Sequence, residues 1–212
     1  MNDKAGVLDS YHLGEILKTS ATKLGARCGA AAVDMLASRL SEYIGSADDD
    51  KYSYIWRFAI EDHEQDGQRD DTRAVLVDAV RDAALGAASA NAPEALAVAK
   101  SLLQSPYPTL TRVGIYVCGE HYGTVGVIFW ECAKKSWFID APYWHELYGF
   151  INKAFPKFSV SQRAQFLAFV EQLKGDWSDK LRQVEWDETH KLDLLHPAFG
   201  LRDSEVDEKY QN

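Results

Sequence analysis

The sequence has few of the residues that build disulfide frameworks or zinc fingers. Its 212 residues include three cysteines, Cys28, Cys118 and Cys132, which are widely spaced and form no Cys-x-x-Cys. Each lies in an apolar pattern typical of a helix, so we expect three buried, reduced thiols. Because reduced thiols are typical of the cytosol, the sequence predicts a cytoplasmic protein.

Long apolar runs and an excess of basic residues are also missing. No stretch approaches the roughly 20 apolar residues of a membrane span, and the first residues, Met-Asn-Asp-Lys, lack the apolar run of a signal peptide. The formal net charge is -9. This acidic balance argues against a general nucleic-acid surface, which would carry a basic stripe, and against an anionic membrane face.

The motifs of common enzyme classes are absent too. The chain has no Gly-x-Ser-x-Gly elbow, Walker loop or Gly-x-Gly-x-x-Gly fingerprint. His145-Glu146 begins like the zinc-protease helix motif, but position 149, where a second histidine is required, is glycine. We therefore predict no cofactor, and the sequence favours a non-enzyme without deciding the question.

Apolar and helix-forming residues are abundant. The chain is 46% hydrophobic and 12% aromatic, which is enough for a sizeable core. Apolar residues recur at the spacing of a helix face. Asp9 or Ser10, Asp70 or Asp71, and Ser159 are suited to begin helices, and Gly45 is suited to end one. The predicted helices lie at 8–45 with a break after Gly25, at 52–60, 71–90, 93–104, 108–121, 124–133 and 142–154, and from Ser159 to Gly175.

The segment from Tyr107 to Gly119 indicates how these helices are arranged. Pro108 opens the helix and Arg112 follows four residues later, as in the first helix of a HEAT repeat, where the arginine ties to the neighbouring repeat. We therefore predict an all-α fold of stacked antiparallel helical hairpins, either a HEAT-like α-solenoid or an irregular helical bundle. The predicted divisions are an N-terminal helical pair (1–50), a HEAT-like domain (51–175) and a polar C-terminal tail (176–212) that wraps the surface or frays.

A polar cluster follows the aromatic block at 52–60. Glu61, Asp62, His63 and Glu64 offer carboxylates and an imidazole for an acid/base or metal site, with His145 as a further member, as in a metal-dependent hydrolase. On a helix, however, His63 would point away from Glu61. The alternative is a polar helix end bonded to nearby arginines and backbone amides, and this is the reading that we favour.

Aromatic residues crowd the stretch 130–148, and such residues are either core or, when partly exposed, anchors for a partner. A binding function predicts exposed aromatics and accessible arginines on a concave face; Arg73 is one such arginine. No catalytic or metal-binding residue is assigned. The candidate binding residues are Arg57, Glu61, Asp62, His63, Glu64, Arg81, Arg112, Trp137, Tyr143, Trp144, His145 and Tyr148.

Two stretches carry a family resemblance. One stretch is Trp56 to Gln65 with Arg81-Asp82, and the other is Tyr107 to His121 with His145-Glu146-Leu147-Tyr148. Both resemble the HEAT-like sensor or scaffold regions of bacterial anti-phage ATPases of the STAND type. The resemblance covers roughly 52–175 and includes no nucleotide-binding core, so no catalytic residue carries over. It implies a fragment or a free-standing relative that binds a protein partner or a phage component, with its oligomeric state open.

Overall fold

A computed structural model of the chain describes residues 9–62, 71–90, 94–175, 178–201 and 203–211. These residues form helices and their connections, with no strand among them, and the predicted all-α class is confirmed. The α-helices are α1 (Ser10–Cys28), α2 (Ala30–Ile44), α3 (Ser53–Trp56), α4 (Thr72–Ser89), α5 (Ala95–Leu103), α6 (Pro108–Glu120), α7 (Tyr122–Cys132), α8 (Trp144–Ala154), α9 (Val160–Glu171), α10 (Lys180–Leu195) and α11 (Ser204–Gln211). Short 3-10 helices lie at Asp49–Tyr52, Lys135–Phe138, Ala141–Tyr143, Phe155–Lys157 and His196–Ala198.

Local capping residues set most of the helix ends where the sequence predicts them. Asp9 accepts a hydrogen bond from the His12 amide to begin α1, and Asp71 begins α4 in the same way. Pro108 is the first residue of α6, and Ser159 forms a reciprocal capping box with Gln162 at the start of α9. These predictions depend on a few adjacent residues and are confirmed.

The first two helices pack on α4, and α1 approaches it so closely that the backbones touch. A Cβ added at Gly25 would lie 1.8 Å from the carbonyl oxygen of Ala83, and one added at Gly86 would lie 2.0 Å from that of Thr22. Only glycine fits at these two positions. Gly25 is therefore a helix–helix contact inside α1, and the predicted break after it is wrong because the chain turns at Gly29, where φ is +52°.

Helices α5, α6 and α7 pack on one another, and α8 packs on α6. A single cluster of buried apolar side chains runs from Ala21 in α1 to Val206 in α11. The segment 178–211, predicted to be a polar tail, contributes α10 and α11, with Leu194 and Leu195 buried. The three divisions of the chain stay predictions. Across the described ranges, no helix is both long and apolar enough to span a membrane.

The helix predicted at 52–60 is wrong beyond Trp56. Only Ser53–Trp56 is α-helical, and residues 57–62 form an irregular segment, called here the 57–62 loop. Smaller corrections concern Pro142, which lies in a 3-10 turn before α8, and Cys28, which is exposed although Cys118 and Cys132 are buried as predicted. Cys28 is the last residue of α1, where the chain turns away from the core.

Candidate functional site

Three arginines hold the 57–62 loop in place: Arg57 of the loop itself, Arg81 of α4 and Arg112 of α6. Arg112 Nη2 donates to the carbonyl oxygen of Phe58 at 2.8 Å, and Arg81 Nη1 donates to that of Ile60 at 2.9 Å. Arg57 Nη2 donates to the same Ile60 oxygen at 3.2 Å. A loop has no helical ladder for its carbonyls, so these buried donors supply the hydrogen bonds that the backbone requires.

Glu146 of α8 completes this arrangement. Its carboxylate accepts from Arg112 Nε at 2.8 Å and Nη2 at 3.0 Å, and from the Ile60 amide at 3.0 Å. Two parallel bonds between a guanidinium and a carboxylate form the strong bidentate geometry. Arg112 therefore joins α6 to α8; the HEAT-like repeat stays a prediction.

Arg57 and Arg81 also bond to carboxylates of α4 and of the loop itself. Arg57 Nη2 donates to Asp78 at 2.8 Å, and Arg81 bonds Asp82 at 2.8 Å and Asp62 at 2.9 Å. Burial disfavours the charged form of Arg81, but these carboxylates outweigh it and raise its pKa above the usual value. The predicted bonding of the polar cluster to nearby arginines is confirmed for Asp62.

The arginines predicted to be accessible are mostly inside the protein. Arg57, Arg81 and Arg112 are buried, so the expectation that a partner can reach them is wrong for these three. Arg73 is partly exposed and lies over the Trp56 ring at 4.9 Å, with its guanidinium bonded to Asp71. The buried arginines fix the shape of the neighbouring surface instead of contacting a partner.

Beside the loop lies a cleft of about 270 Å³ between α6 and α8. Here the structure brings together Glu61 and His145, two candidate residues far apart in the sequence, with His145 Nε2 3.4 Å from Glu61 Oε1. Tyr148, also a candidate, lines the same cleft. Glu61 of the 57–62 loop and the first residues of α8 therefore line the same cleft.

Lys153, Glu120 and Tyr116 form the far wall of this cleft. Lys153 bonds to Glu120 and lies 5.6 Å from the centre of the Tyr116 ring. Burial opposes the charge of Lys153, but the bond to Glu120 outweighs it and raises the lysine pKa. Burial, aided by the Glu120 charge, also raises the pKa of Tyr116. Lys153 is therefore held by the Glu120 carboxylate beside the Tyr116 ring.

The predicted metal site has only part of its members in the described structure. Glu61 faces His145 and Asp62 faces Arg81, while His63 and Glu64 lie outside the described residues. The described ranges contain no group of three histidine, cysteine, aspartate or glutamate residues that could hold a metal ion. The metal-site hypothesis therefore stays a prediction that depends on His63 and Glu64.

The candidate aromatic residues at 137–148 divide into a buried or half-buried pair and an exposed pair. Trp137 is buried, 6.0 Å from Phe129 between ring centres, and Tyr143 is half-buried beside it. Trp144 and Tyr148 are exposed at 36% and 44%. Trp144 lies 4.4 Å from the ring of His190. Trp144 and Tyr148 are therefore the exposed candidates of this stretch, and their role as anchors for a partner stays a prediction.

Tyr148 belongs to a longer row of exposed and partly exposed rings that sequence reasoning missed. The row consists of two groups of contacting rings, and each group includes one residue of α8. Ring-centre distances are 5.2 Å for Phe58 to His145, 6.0 Å for Tyr148 to His196, 5.7 Å for His196 to Tyr210 and 4.6 Å for Tyr210 to Phe199. No sequence signal joins these rings, because they come from the 57–62 loop, α8 and the C-terminal helices. This row is called here the aromatic strip, and it consists of Phe58, His145, Tyr148, His196, Phe199 and Tyr210.

Comparison of the chain with protein-family models, curated proteins and solved structures gave no match. The all-helical architecture is compatible with a helical sensor or scaffold region. The resemblance to STAND-type ATPases stays a prediction from the quoted residues.

Proposed function

We propose that this protein is a helical interaction module that binds a partner protein through the aromatic strip. The observation that carries the proposal is the exposure of its apolar rings: Phe58 is 60% exposed, Tyr148 44% and Phe199 39%. Phe58 packs on His145, Tyr148 on His196 and Phe199 on Tyr210, and exposed apolar side chains grouped at a surface are typical of protein-binding sites. Aromatic residues also supply much of the binding energy in such interfaces.

The surroundings of the strip support a preformed docking surface. The Tyr148 hydroxyl bonds to His196 Nδ1 at 3.0 Å, which orients both rings. Phe58 is carried by the loop whose carbonyls Arg112, Arg81 and Arg57 hold from within. Because these rings are held in place before binding, their side chains would lose little further conformational entropy when a partner docks on them.

The proposal extends to the biological setting that the resemblance implies. In it, the module serves as a sensor or scaffold in bacterial anti-phage defence, and its partner is a host or phage protein. Plating of phages on host cells with the intact gene, the deletion and the strip variant described below tests this extension. Equal plating on all three would contradict the defence role and leave the binding proposal to its own test.

Affinity capture with the full chain tests the binding proposal. The strip variant carries Phe58→Ser, Tyr148→Ser and Phe199→Ser. Its matched control carries Val160→Ser, Leu181→Ser and Val184→Ser, three exposed apolar residues outside the strip. Proteins retained by the wild type from native host lysates, with and without phage, are identified by mass spectrometry, purified and titrated by calorimetry.

We expect the strip variant to bind the purified partner at least about tenfold more weakly than the wild type, because central aromatic anchors are being truncated. The control variant should bind like the wild type. Equal binding by the two triple variants would show that the strip is not the docking surface. Failure to capture any partner that binds after purification would contradict the interaction function and favour a purely structural role within a longer protein.

A further inference from the structure

A second surface, which includes Tyr54 of α3, has a different chemistry. It is a groove of about 670 Å³ between the 3-10 helix Asp49–Tyr52, the corner before α6 and the 3-10 helix Ala141–Tyr143. Half of its lining residues carry rings, three from tyrosines and three from prolines. This surface is called here the tyrosine groove, and its rings are Tyr52, Tyr54, Tyr143, Pro106, Pro108 and Pro142.

The tyrosine hydroxyls in the groove are available to a ligand. Across the described ranges, no residue hydrogen-bonds the hydroxyls of Tyr52, Tyr54 or Tyr143. None of these three oxygens is buried, so each is open to solvent. Tyr52 is 62% exposed, while burial raises the pKa of the half-buried Tyr143 to about 12. The groove therefore presents three tyrosine hydroxyls that no described residue engages.

The charge of the groove is unbalanced. Lys51 is neutralised by Asp48, with Nζ 2.6 Å from Oδ1. Asp140, at the opposite end of the lining, has no cationic partner within the described part of the chain, and burial raises its pKa. One carboxylate therefore faces the groove without a counter-charge, which favours a ligand that carries a basic group.

A polyproline II segment has the properties that these features complement. It has no internal hydrogen bonds, so its carbonyl oxygens are free to accept from tyrosine hydroxyls, and its pyrrolidine rings pack on flat aromatic faces. Its backbone is already extended, so ordering it costs little entropy. An amphipathic helix would instead require an aliphatic trough, and Ile139 is the one large aliphatic residue of the lining.

We propose that the tyrosine groove binds a proline-rich segment of a partner protein in the polyproline II conformation, with an arginine or lysine of that segment beside Asp140. This is a second docking surface, and it does not depend on the aromatic strip. A module with two such surfaces would contact its partner, or two partners, from different sides.

Fluorescence anisotropy with synthetic peptides tests the proposal on the full chain. The probe is a labelled proline-rich peptide with an arginine at each end. One comparison peptide replaces the prolines by glycine and serine, and another replaces the arginines by glutamate. We expect saturable binding of the probe and at least about tenfold weaker binding of both comparison peptides. No saturable binding of the probe, or equal binding of the glycine–serine peptide, would overturn the proposal.

Variants then locate the binding. Tyr52→Ala should weaken probe binding at least about tenfold, whereas Tyr11→Ala, at an equally exposed tyrosine of α1, should leave it unchanged. Asp140→Asn should weaken binding of the arginine-ended probe about threefold or more and remove most of its salt dependence. Because Asp140 is exposed, this variant should keep the melting temperature of the wild type. If Tyr52→Ala and Tyr11→Ala bind the probe equally, the groove is not its site.

Discussion

Arg112 of α6 and Glu146 of α8 form a bidentate ion pair in which solvent reaches 0% and 1% of the two side chains. Both partners also hold the 57–62 loop, through the Phe58 carbonyl and the Ile60 amide. Removing two charges from water offsets most of their mutual attraction, so such a pair is weak evidence of net stabilisation. Its consequence is geometric: it fixes the loop that presents Phe58 and Glu61.

Breaking this pair should be costly. Arg112→Met leaves Glu146 buried without its counter-charge, and we expect the free energy of unfolding to fall by about 3–5 kcal/mol. Urea denaturation followed by circular dichroism measures the change. Lys100→Met is the matched control, because Lys100 and Glu131 also join two helices but are about half exposed; it should cost less than about 1 kcal/mol. Equal costs would contradict the importance of the buried pair.

The contact between α1 and α4 leads to a second prediction. Gly86→Ala places a methyl group against the carbonyl of Thr22, so the helices must separate, and we expect a loss of about 1–3 kcal/mol. Gly123→Ala is the control, since a Cβ there meets nothing within 4 Å. It should be neutral or stabilise by up to about 1 kcal/mol, because alanine favours the helix. A Gly86→Ala protein as stable as the wild type would show that the helices are not in backbone contact.

Features that depend on residues close together in the sequence were predicted correctly, whereas features that depend on distant residues were not. Asp9, Asp71, Pro108 and Ser159 begin helices through contacts with the next few residues, so the sequence alone predicts them. The 57–62 loop is set by side chains from α4, α6 and α8 that are distant in the sequence. A local alternation of aromatic residues contains no information about those partners, and the helix predicted there was therefore too long.

The candidate site shows the same limit in another form. Glu61, His145 and Tyr148 were each identified from composition and motif, but their meeting in one cleft depends on how α8 packs on α6. The arginines were identified for their charge, and only the fold shows that Arg57, Arg81 and Arg112 face inward. The aromatic strip was missed because its rings come from the 57–62 loop, α8 and the segment 178–211, and no local pattern joins residues so far apart in the sequence.

Thiol reactivity should distinguish the three cysteines. Cys28 is exposed, whereas burial raises the pKa of Cys118 to about 12 and also raises that of Cys132. Because the thiolate is the reactive form, we expect one thiol to react with Ellman's reagent in the native protein at pH 8 and all three after unfolding. Cys28→Ser should abolish the native reaction. Rapid native reaction of the Cys28→Ser protein would contradict the burial of the other two thiols.

His190 should make the stability of the protein depend on pH. It lies between the rings of Trp144 and Trp186, at 4.4 and 4.6 Å, and its Nε2 is 2.6 Å from the Phe138 carbonyl oxygen. Burial lowers its pKa from 6.5, outweighing the hydrogen bond to Phe138, which raises it. The unfolded chain therefore binds this proton more readily than the folded protein, so stability is full above pH 6.5 and is lost as the pH falls through the folded pKa.

Urea denaturation between pH 7.5 and pH 5 measures this effect. We expect the wild type to lose more stability over the interval than His190→Gln, whose amide can still donate to Phe138 but does not titrate. Other groups that titrate in the interval affect both proteins, so the difference between the two curves isolates His190. Tryptophan fluorescence at each pH reports the same event locally, because protonation or loss of packing at His190 alters the surroundings of Trp144 and Trp186. Parallel pH curves for the two proteins would show that His190 titrates alike in the folded and unfolded states.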